Sequence, residues 1–175
     1  LLTGMRRWTP GIGAPVERAL AAGADTIVGL VLAPHYSGMS IGKYRAQLED
    51  AVAGRAEIRF VERWGSEPGF VALLAEKLVS ERHKHVVFTA HSLPTRILDE
   101  GAPYRDEVLE SSRLVAEHAG VHEWTFAFQS ESPTGEPWLG AGCTWRRRPP
   151  PPWPVAPPPR ATCWPWPGWP ASRRP

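Results

Sequence analysis

The apolar run Thr26-Ile27-Val28-Gly29-Leu30-Val31-Leu32-Ala33, which stops at Pro34, decides the fold class. A continuous apolar run of this length is typical of a strand buried on both faces, as in a parallel sheet. A helical pattern over Ala14–Gly23 comes before it and ends at a glycine, a common residue after the last helical turn. The sequence therefore predicts a helix that leads into a buried strand.

Helix and strand patterns go on alternating along the chain. The further predicted helices cover Ser40–Ala53, a segment that begins at Glu67-Pro68, and Tyr104–Ala119. The further predicted strands cover Glu57–Glu62, His85–Ala90 and Trp124–Phe128. Repeated alternation with short connections indicates an α/β fold, doubly wound, in which helices flank mainly parallel sheets.

Polar clusters follow three of the predicted strands. They are Pro34–Ser37, His91–Pro94 and Gln129–Ser132. In open α/β sheets, ligands bind beyond the carboxyl ends of the strands. We therefore expect the chemistry of this protein at that edge.

Residues 141–175 differ in composition from the rest of the chain. They hold 12 of the 20 prolines, 5 of the 9 tryptophans, both cysteines and six arginines, with no acidic residue. Proline removes the backbone donors that helices and strands need, so this tail is expected to be disordered or polyproline-like. The body is predicted to be an α/β unit over residues 1–140, with an approximate internal boundary near residue 82.

Charge and hydropathy exclude several classes of protein. The pI near 8.8 comes from the tail, since residues 1–140 alone carry a net charge of −4, and it does not indicate a nucleic-acid partner. The sequence contains no run of about 18 apolar residues, so it predicts no transmembrane segment. The N-terminus lacks a secretory signal pattern. Because residues 1–140 contain no cysteine, a cytoplasmic location is expected. Cys143 and Cys163 have no neighbouring ligands that would predict a zinc site.

Several short motifs, taken together with their order and spacing, resemble one enzyme family. They are Gly4–Pro10, Leu30–Ser37 with Tyr44, His91-Ser92-Leu93-Pro94 with Gly101–Tyr104, and Phe128–Ser132 with Pro137-Trp138-Leu139-Gly140. Residues 1–140 thereby resemble the central part of a ferrochelatase, an enzyme that inserts ferrous iron into a porphyrin to make haem.

The resemblance implies a chelatase-like fold, with a porphyrin cleft between two doubly wound domains and incomplete here at both ends. It implies ferrous iron as the substrate metal, protoporphyrin IX or coproporphyrin III as the porphyrin, and no organic cofactor. His91 matches the family histidine that faces the porphyrin centre, as catalytic base and metal ligand. Tyr44 matches a tyrosine that contacts the porphyrin. Gln129–Ser132 and Trp138 lie in motifs near the cleft.

Elementary chemistry is compatible with such a histidine. Metal insertion expels two pyrrole protons, and an ordinary imidazole, with a pKa of roughly 6.5, can accept a proton or coordinate iron. Without the resemblance, the residues favour a strand-end histidine bonded to local backbone over a metal ligand. His35 is at least as compatible with a structural role, and Tyr44 with a helical aromatic at the edge of the core.

The chain also departs from the family pattern. The family's N-terminal portion and a downstream His-Leu-Glu-type motif, which supplies an acidic partner to the histidine, are absent. We therefore expect a central fragment of a longer product, inactive alone. After Trp138-Leu139-Gly140 the family continues Pro-Asp-Val, and codons for Ala141–Trp145 read one nucleotide later can spell Pro-Asp-Val-His. This motivates the hypothesis that the tail is a frameshift product, against a genuine proline-rich extension.

Two other functions stay open at this point. One is a non-catalytic module that binds a tetrapyrrole or presents its proline-rich tail to a partner domain. The other is a chelatase for cobalt or nickel. The oligomeric state is not indicated by the sequence.

Overall fold

A computed structural model of the chain describes residues 1–80 and 85–140, together with the backbone of residues 145–146. The helices are α1 (Gly13–Ala21), α2 (Lys43–Val52), α3 (Pro68–Ser80), α4 (Arg96–Asp99) and α5 (Tyr104–His118). The strands are β1 (Thr26–Leu30), β2 (Glu57–Val61), β3 (Val86–His91), β4 (Trp124–Gln129) and β5 (Trp145–Arg146).

The strands form two small sheets. In the first, β1 pairs with β2 in parallel, and in the second, β3 pairs with β4 in parallel while β5 joins β4 antiparallel. Strand β1 connects to β2 through α2, and β3 connects to β4 through α4 and α5. Parallel strands need such crossover connections, whereas antiparallel strands can be joined by a short turn. The predicted α/β alternation with mainly parallel strands is therefore confirmed.

Apolar side chains gather in a core for each sheet. The larger core lies between the β3–β4 sheet and helices α4 and α5, and includes Phe126, Ile97 and Val108. A smaller one joins Val16 of α1 to Val52 of α2 under the β1–β2 sheet. Helix α3 packs against α5 through a third cluster of buried side chains.

The prediction that strand β1 is buried on both faces is wrong. Val28 and Leu30 are 65% and 55% exposed, because α1 and α2 cover one face of the two-stranded sheet and no described element covers the other. The strand also ends at Leu30 rather than at Ala33. The indole N–H of Trp64 donates to the carbonyl of Val31 at 2.9 Å, which gives that carbonyl a partner outside the sheet.

Gly29 allows helix α2 to approach strand β1 closely. A Cβ atom at this position would lie 2.7 Å from Leu48 Cδ2 and 2.7 Å from Phe60 Cδ2, which is closer than real Cβ contacts. A glycine in the middle of a strand often marks such a close approach.

Three smaller differences separate the observed elements from the predicted ones. The predicted helix over Ser40–Ala53 begins with a π-helical turn over Gly38–Gly42 and continues as α2. The short helix α4 was not predicted. Strand β5 forms in the predicted tail, where no strand was expected.

Some predictions concern residues that the structure does not describe. The boundary near residue 82 lies in residues 81–84, and the predicted disorder concerns residues 141–144 and 147–175, all outside the described ranges. Within the described residues, no helix combines the length and the apolar character that crossing a membrane requires.

Candidate active site

Two polar residues predicted from the strand ends meet at one edge of the second sheet. His91 is the last residue of β3 and Gln129 the last residue of β4, and they are register partners in the parallel pairing. Both residues are exposed. The carboxyl edge of the β3–β4 sheet therefore presents an imidazole and an amide side by side.

The imidazole of His91 makes no hydrogen bond to any residue that the structure describes. Its main-chain carbonyl accepts a hydrogen bond from Tyr104, and the residue as a whole is exposed. The alternative raised by the sequence was a histidine whose ring is hydrogen-bonded to the local backbone, and no such bond is present among the described residues. The ring nitrogens of His91 are therefore available to a ligand.

The His-Ser-Leu-Pro and Pro-Trp-Leu-Gly motifs lie against each other beside His91. The hydroxyl of Ser92 donates to the carbonyl of Leu139 at 2.6 Å, and the N–H of Leu139 donates to the carbonyl of Leu93 at 2.8 Å. Trp138 forms an isolated antiparallel bridge with Pro94 and is half-buried. These contacts bring together, at one edge of the sheet, two segments whose bonded residues Ser92 and Leu139 are 47 positions apart in sequence.

Tyr44 lies elsewhere, on helix α2 beside the first sheet. Its ring lines a cleft of about 410 Å³ that β1 and α1 also border, and His91 is not part of that lining. The guanidinium of Arg6 lies over the ring, 5.6 Å from its centroid, a cation–π geometry. The structure therefore joins Tyr44 to the N-terminal motif rather than to His91.

His35, in the loop that follows β1, is half-buried against helix α5. Its Nε2 atom lies 2.8 Å from the hydroxyl oxygen of Ser111, and that hydroxyl donates to the carbonyl of Gly65 at 2.9 Å. Because the hydroxyl uses its single proton on Gly65, Nε2 of His35 must be the donor. Burial lowers the pKa of His35 to about 4, so the ring is neutral near pH 7. This geometry gives His35 a structural role.

The sequence patterns missed a polar junction around Glu107. Its Oε2 atom accepts the backbone N–H of Tyr36 at 2.7 Å, and its Oε1 atom lies 3.1 Å from Nη1 of Arg63 in an ion pair without hydrogen-bond alignment. Glu107 and Ser111 lie four residues apart on α5, and so on one helix face. Polar residues at that spacing on a face that also carries core residues are the signal that could have revealed the junction.

No group of three or more His, Cys, Asp or Glu side chains that could hold a metal ion occurs in residues 1–80 and 85–140. In this part of the chain, His91 is a single nitrogen donor at an exposed strand end. Such an imidazole could accept a proton or offer one nitrogen ligand to a metal.

Comparison with known proteins identifies the family. Residues 1–144 match the family described as Ferrochelatase. The chain belongs to the ferrochelatase family. It is 37% identical over 151 residues to the ferrochelatase of Deinococcus radiodurans, an alignment that covers 78% of this chain and 48% of that protein.

Other relatives are named as coproporphyrin III ferrochelatases. The chain is 36% identical to the coproporphyrin III ferrochelatase of Halalkalibacterium halodurans over 146 residues, and 36% identical to that of Bacillus subtilis over 148 residues. Each alignment covers 78% of this chain, with 47% and 48% of the relative. The chain thus spans about half the length of the curated relatives it matches.

The half-buried His35 leads to a prediction about stability and pH. The pKa of His35 is about 4 when folded against an ordinary 6.5, so between these values the unfolded chain binds a proton that the folded chain does not. Stability is therefore expected to fall as the pH drops from 6.5 to 4, and His35 adds no pH dependence above that window. Urea denaturation at several pH values measures this.

A His35→Gln variant is the control, because an amide can donate to Ser111 but does not titrate. Its unfolding free energy is expected to depend less steeply on pH between 6.5 and 4 than that of the unmodified chain. Parallel curves for the two proteins would mean that His35 titrates normally when folded.

Proposed function

We propose that this chain supplies the metal-facing part of an enzyme that inserts ferrous iron into a porphyrin. The observation that carries the proposal is the exposed His91 imidazole at the carboxyl end of β3, in a chain of the ferrochelatase family. The relatives that cover this segment are named for ferrochelatase activity. The cysteine-free body favours a cytoplasmic location for the reaction.

In the proposed reaction, His91 acts on the porphyrin face. Insertion of a divalent metal expels two pyrrole protons, and a neutral imidazole beside the macrocycle accepts them one at a time as general base, releasing the first to solvent before it takes the second. While it is unprotonated, the same nitrogen could instead coordinate the incoming iron, so the two roles belong to different moments of the reaction. A strand end fixes the backbone of His91, which limits the positions open to the imidazole and so favours productive contact with the reacting porphyrin.

The porphyrin is proposed to extend from the edge beside His91 over neighbouring aromatic side chains. Trp138 is half-buried, close to the same edge, and its indole N–H donates to Thr134 at 2.7 Å, which fixes the ring plane. Tyr44 is proposed as a second porphyrin contact through the cleft that its ring lines. Coproporphyrin III is the preferred substrate in this proposal, because relatives named for it are among the matches.

Metal insertion by a chimera tests the proposal. Residues 1–140 replace the matching segment of the Deinococcus radiodurans ferrochelatase, which supplies the other half of the length. Insertion of ferrous iron, cobalt or nickel into coproporphyrin III and protoporphyrin IX is followed by absorbance, with the unaltered relative as positive control. We expect iron insertion at least about a thousandfold faster than the uncatalysed reaction.

The other outcomes separate the alternatives. A chimera that binds porphyrin saturably but inserts no metal would support the non-catalytic binding module. A chimera that inserts cobalt or nickel but not iron would assign the segment to a different chelatase. The isolated 175-residue chain is included in the assay, and we expect no insertion from it.

A further inference from the structure

The peptide group that follows His91 is held at both of its polar atoms. Its oxygen, the His91 carbonyl, accepts a hydrogen bond from the hydroxyl of Tyr104 at 2.9 Å. Its N–H, that of Ser92, donates to the main-chain carbonyl of Gln129 at 2.7 Å. Because both atoms are bonded, the plane of this peptide is fixed at the end of β3. The imidazole of His91 then keeps the freedom of its side-chain torsions alone.

Tyr104 is well placed to hold that carbonyl, because its own ring is packed on two sides. The ring meets His35 edge-on and Phe128 at a tilt, with 6.4 Å between centroids in each case. It is also the first residue of α5, directly after Pro103. Burial raises the pKa of Tyr104, so its hydroxyl stays protonated and remains a donor near neutral pH.

We infer that Tyr104 is a positioning residue, whose hydroxyl holds the end of β3 so that His91 points at the metal of a bound tetrapyrrole. The inference rests on the proposed function, since it takes the His91 imidazole as the group that meets the metal. Tyr104 itself touches no reacting atom. The motif that contains it, Gly101-Ala102-Pro103-Tyr104, thereby gains a role in the site.

The bond from Tyr104 can be removed by itself. The partner on the other side of the peptide is the main-chain carbonyl of Gln129, which no side-chain substitution deletes. Tyr104→Phe takes away one oxygen atom and keeps the ring that packs between His35 and Phe128. The substitution therefore separates the hydrogen bond from the packing.

A double-mutant cycle on the full 175-residue chain tests the inference. Iron(III) coproporphyrin III is titrated into the unmodified chain, Tyr104→Phe, His91→Ala and the double variant, and binding is followed by the main absorbance band. Tyr104→Phe is expected to weaken binding about three- to tenfold, the size of one lost hydrogen bond. In the His91→Ala background the same change is expected to have no effect, because Tyr104 acts through His91.

Tyr36→Phe is the matched control, since it removes a tyrosine hydroxyl that makes no hydrogen bond to His91. It is expected to bind as the unmodified chain does. Equal losses from Tyr104→Phe in both backgrounds would reduce Tyr104 to a purely structural residue and overturn the inference. Unchanged binding in Tyr104→Phe, or no histidine-type spectrum from the unmodified chain, would overturn it as well.

Iron insertion by the chimera is measured separately from this cycle. Insertion that persists while the coupling between Tyr104 and His91 is absent overturns the role of Tyr104 alone. Loss of insertion with the coupling intact overturns the proposed function and leaves the positioning role supported.

Discussion

Replacing His91 by alanine in the chimera is expected to slow iron insertion at least about a hundredfold, the usual contribution of a positioned general base. The imidazole is the exposed nitrogen donor at the carboxyl end of β3, and alanine can neither accept a pyrrole proton nor coordinate iron. The measurement is kcat for iron insertion into coproporphyrin III. The Michaelis constant for the porphyrin is expected to change less than kcat does.

His122→Ala is the matched control, because His122 is an exposed histidine just ahead of strand β4 and away from its carboxyl end. Its kcat is expected to equal that of the unmodified chimera. A comparable loss in both variants would indicate a general effect of removing a surface histidine. An unchanged kcat in His91→Ala would remove the catalytic assignment.

Replacing Phe126 by alanine is expected to lower the free energy of unfolding by about 3–5 kcal/mol, the usual cost of truncating a buried phenylalanine. Phe126 is 1% exposed, and its ring meets that of Phe128 edge-on with 5.0 Å between centroids. The total free energy of unfolding of a domain of this size is roughly 5–15 kcal/mol, so the variant is expected to be close to unfolding. Urea denaturation of the 175-residue chain measures the change.

Val87→Ala provides the comparison on the neighbouring strand. Val87 is 57% exposed, so the loss is expected to stay below about 1 kcal/mol. Equal losses of unfolding free energy in the two variants would contradict the placement of Phe126 in the larger core.

The sequence pattern predicted the edge of the sheet where the candidate site lies. Apolar runs that stop at polar residues predicted the ends of β3 and β4, and parallel strands bring such ends together at one edge. His91 and Gln129 are register partners for this reason. The family resemblance, rather than periodicity, singled out His91 among the six histidines.

Local sequence patterns could not predict contacts between residues that are distant in sequence. Strand β1 ends at Leu30, and the next carbonyl, that of Val31, accepts the indole N–H of Trp64, 33 residues away. Glu107 holds the N–H of Tyr36 across 71 residues of sequence. Neither hydrogen bond could be predicted from hydrophobic periodicity. Periodicity indicates which face of a helix or strand is buried, but not which polar groups bond to each other.

Burial of β1 was mispredicted for a related reason. A continuous apolar run indicates a strand whose two faces are apolar, but it does not say which elements cover them. In the described residues α1 and α2 cover one face, and Val28 and Leu30 remain exposed on the other. An exposed apolar face of this kind favours self-association, so we expect the isolated chain to have limited solubility.

The most direct measurement of the central claim is the resonance Raman spectrum of iron(II) coproporphyrin III bound to the 175-residue chain. If His91 faces the porphyrin metal, the iron–histidine stretching band is present in the unmodified chain and in His122→Ala, and absent from His91→Ala. A band that persists in His91→Ala, or that is missing from the unmodified chain, would contradict the placement of His91 at the metal.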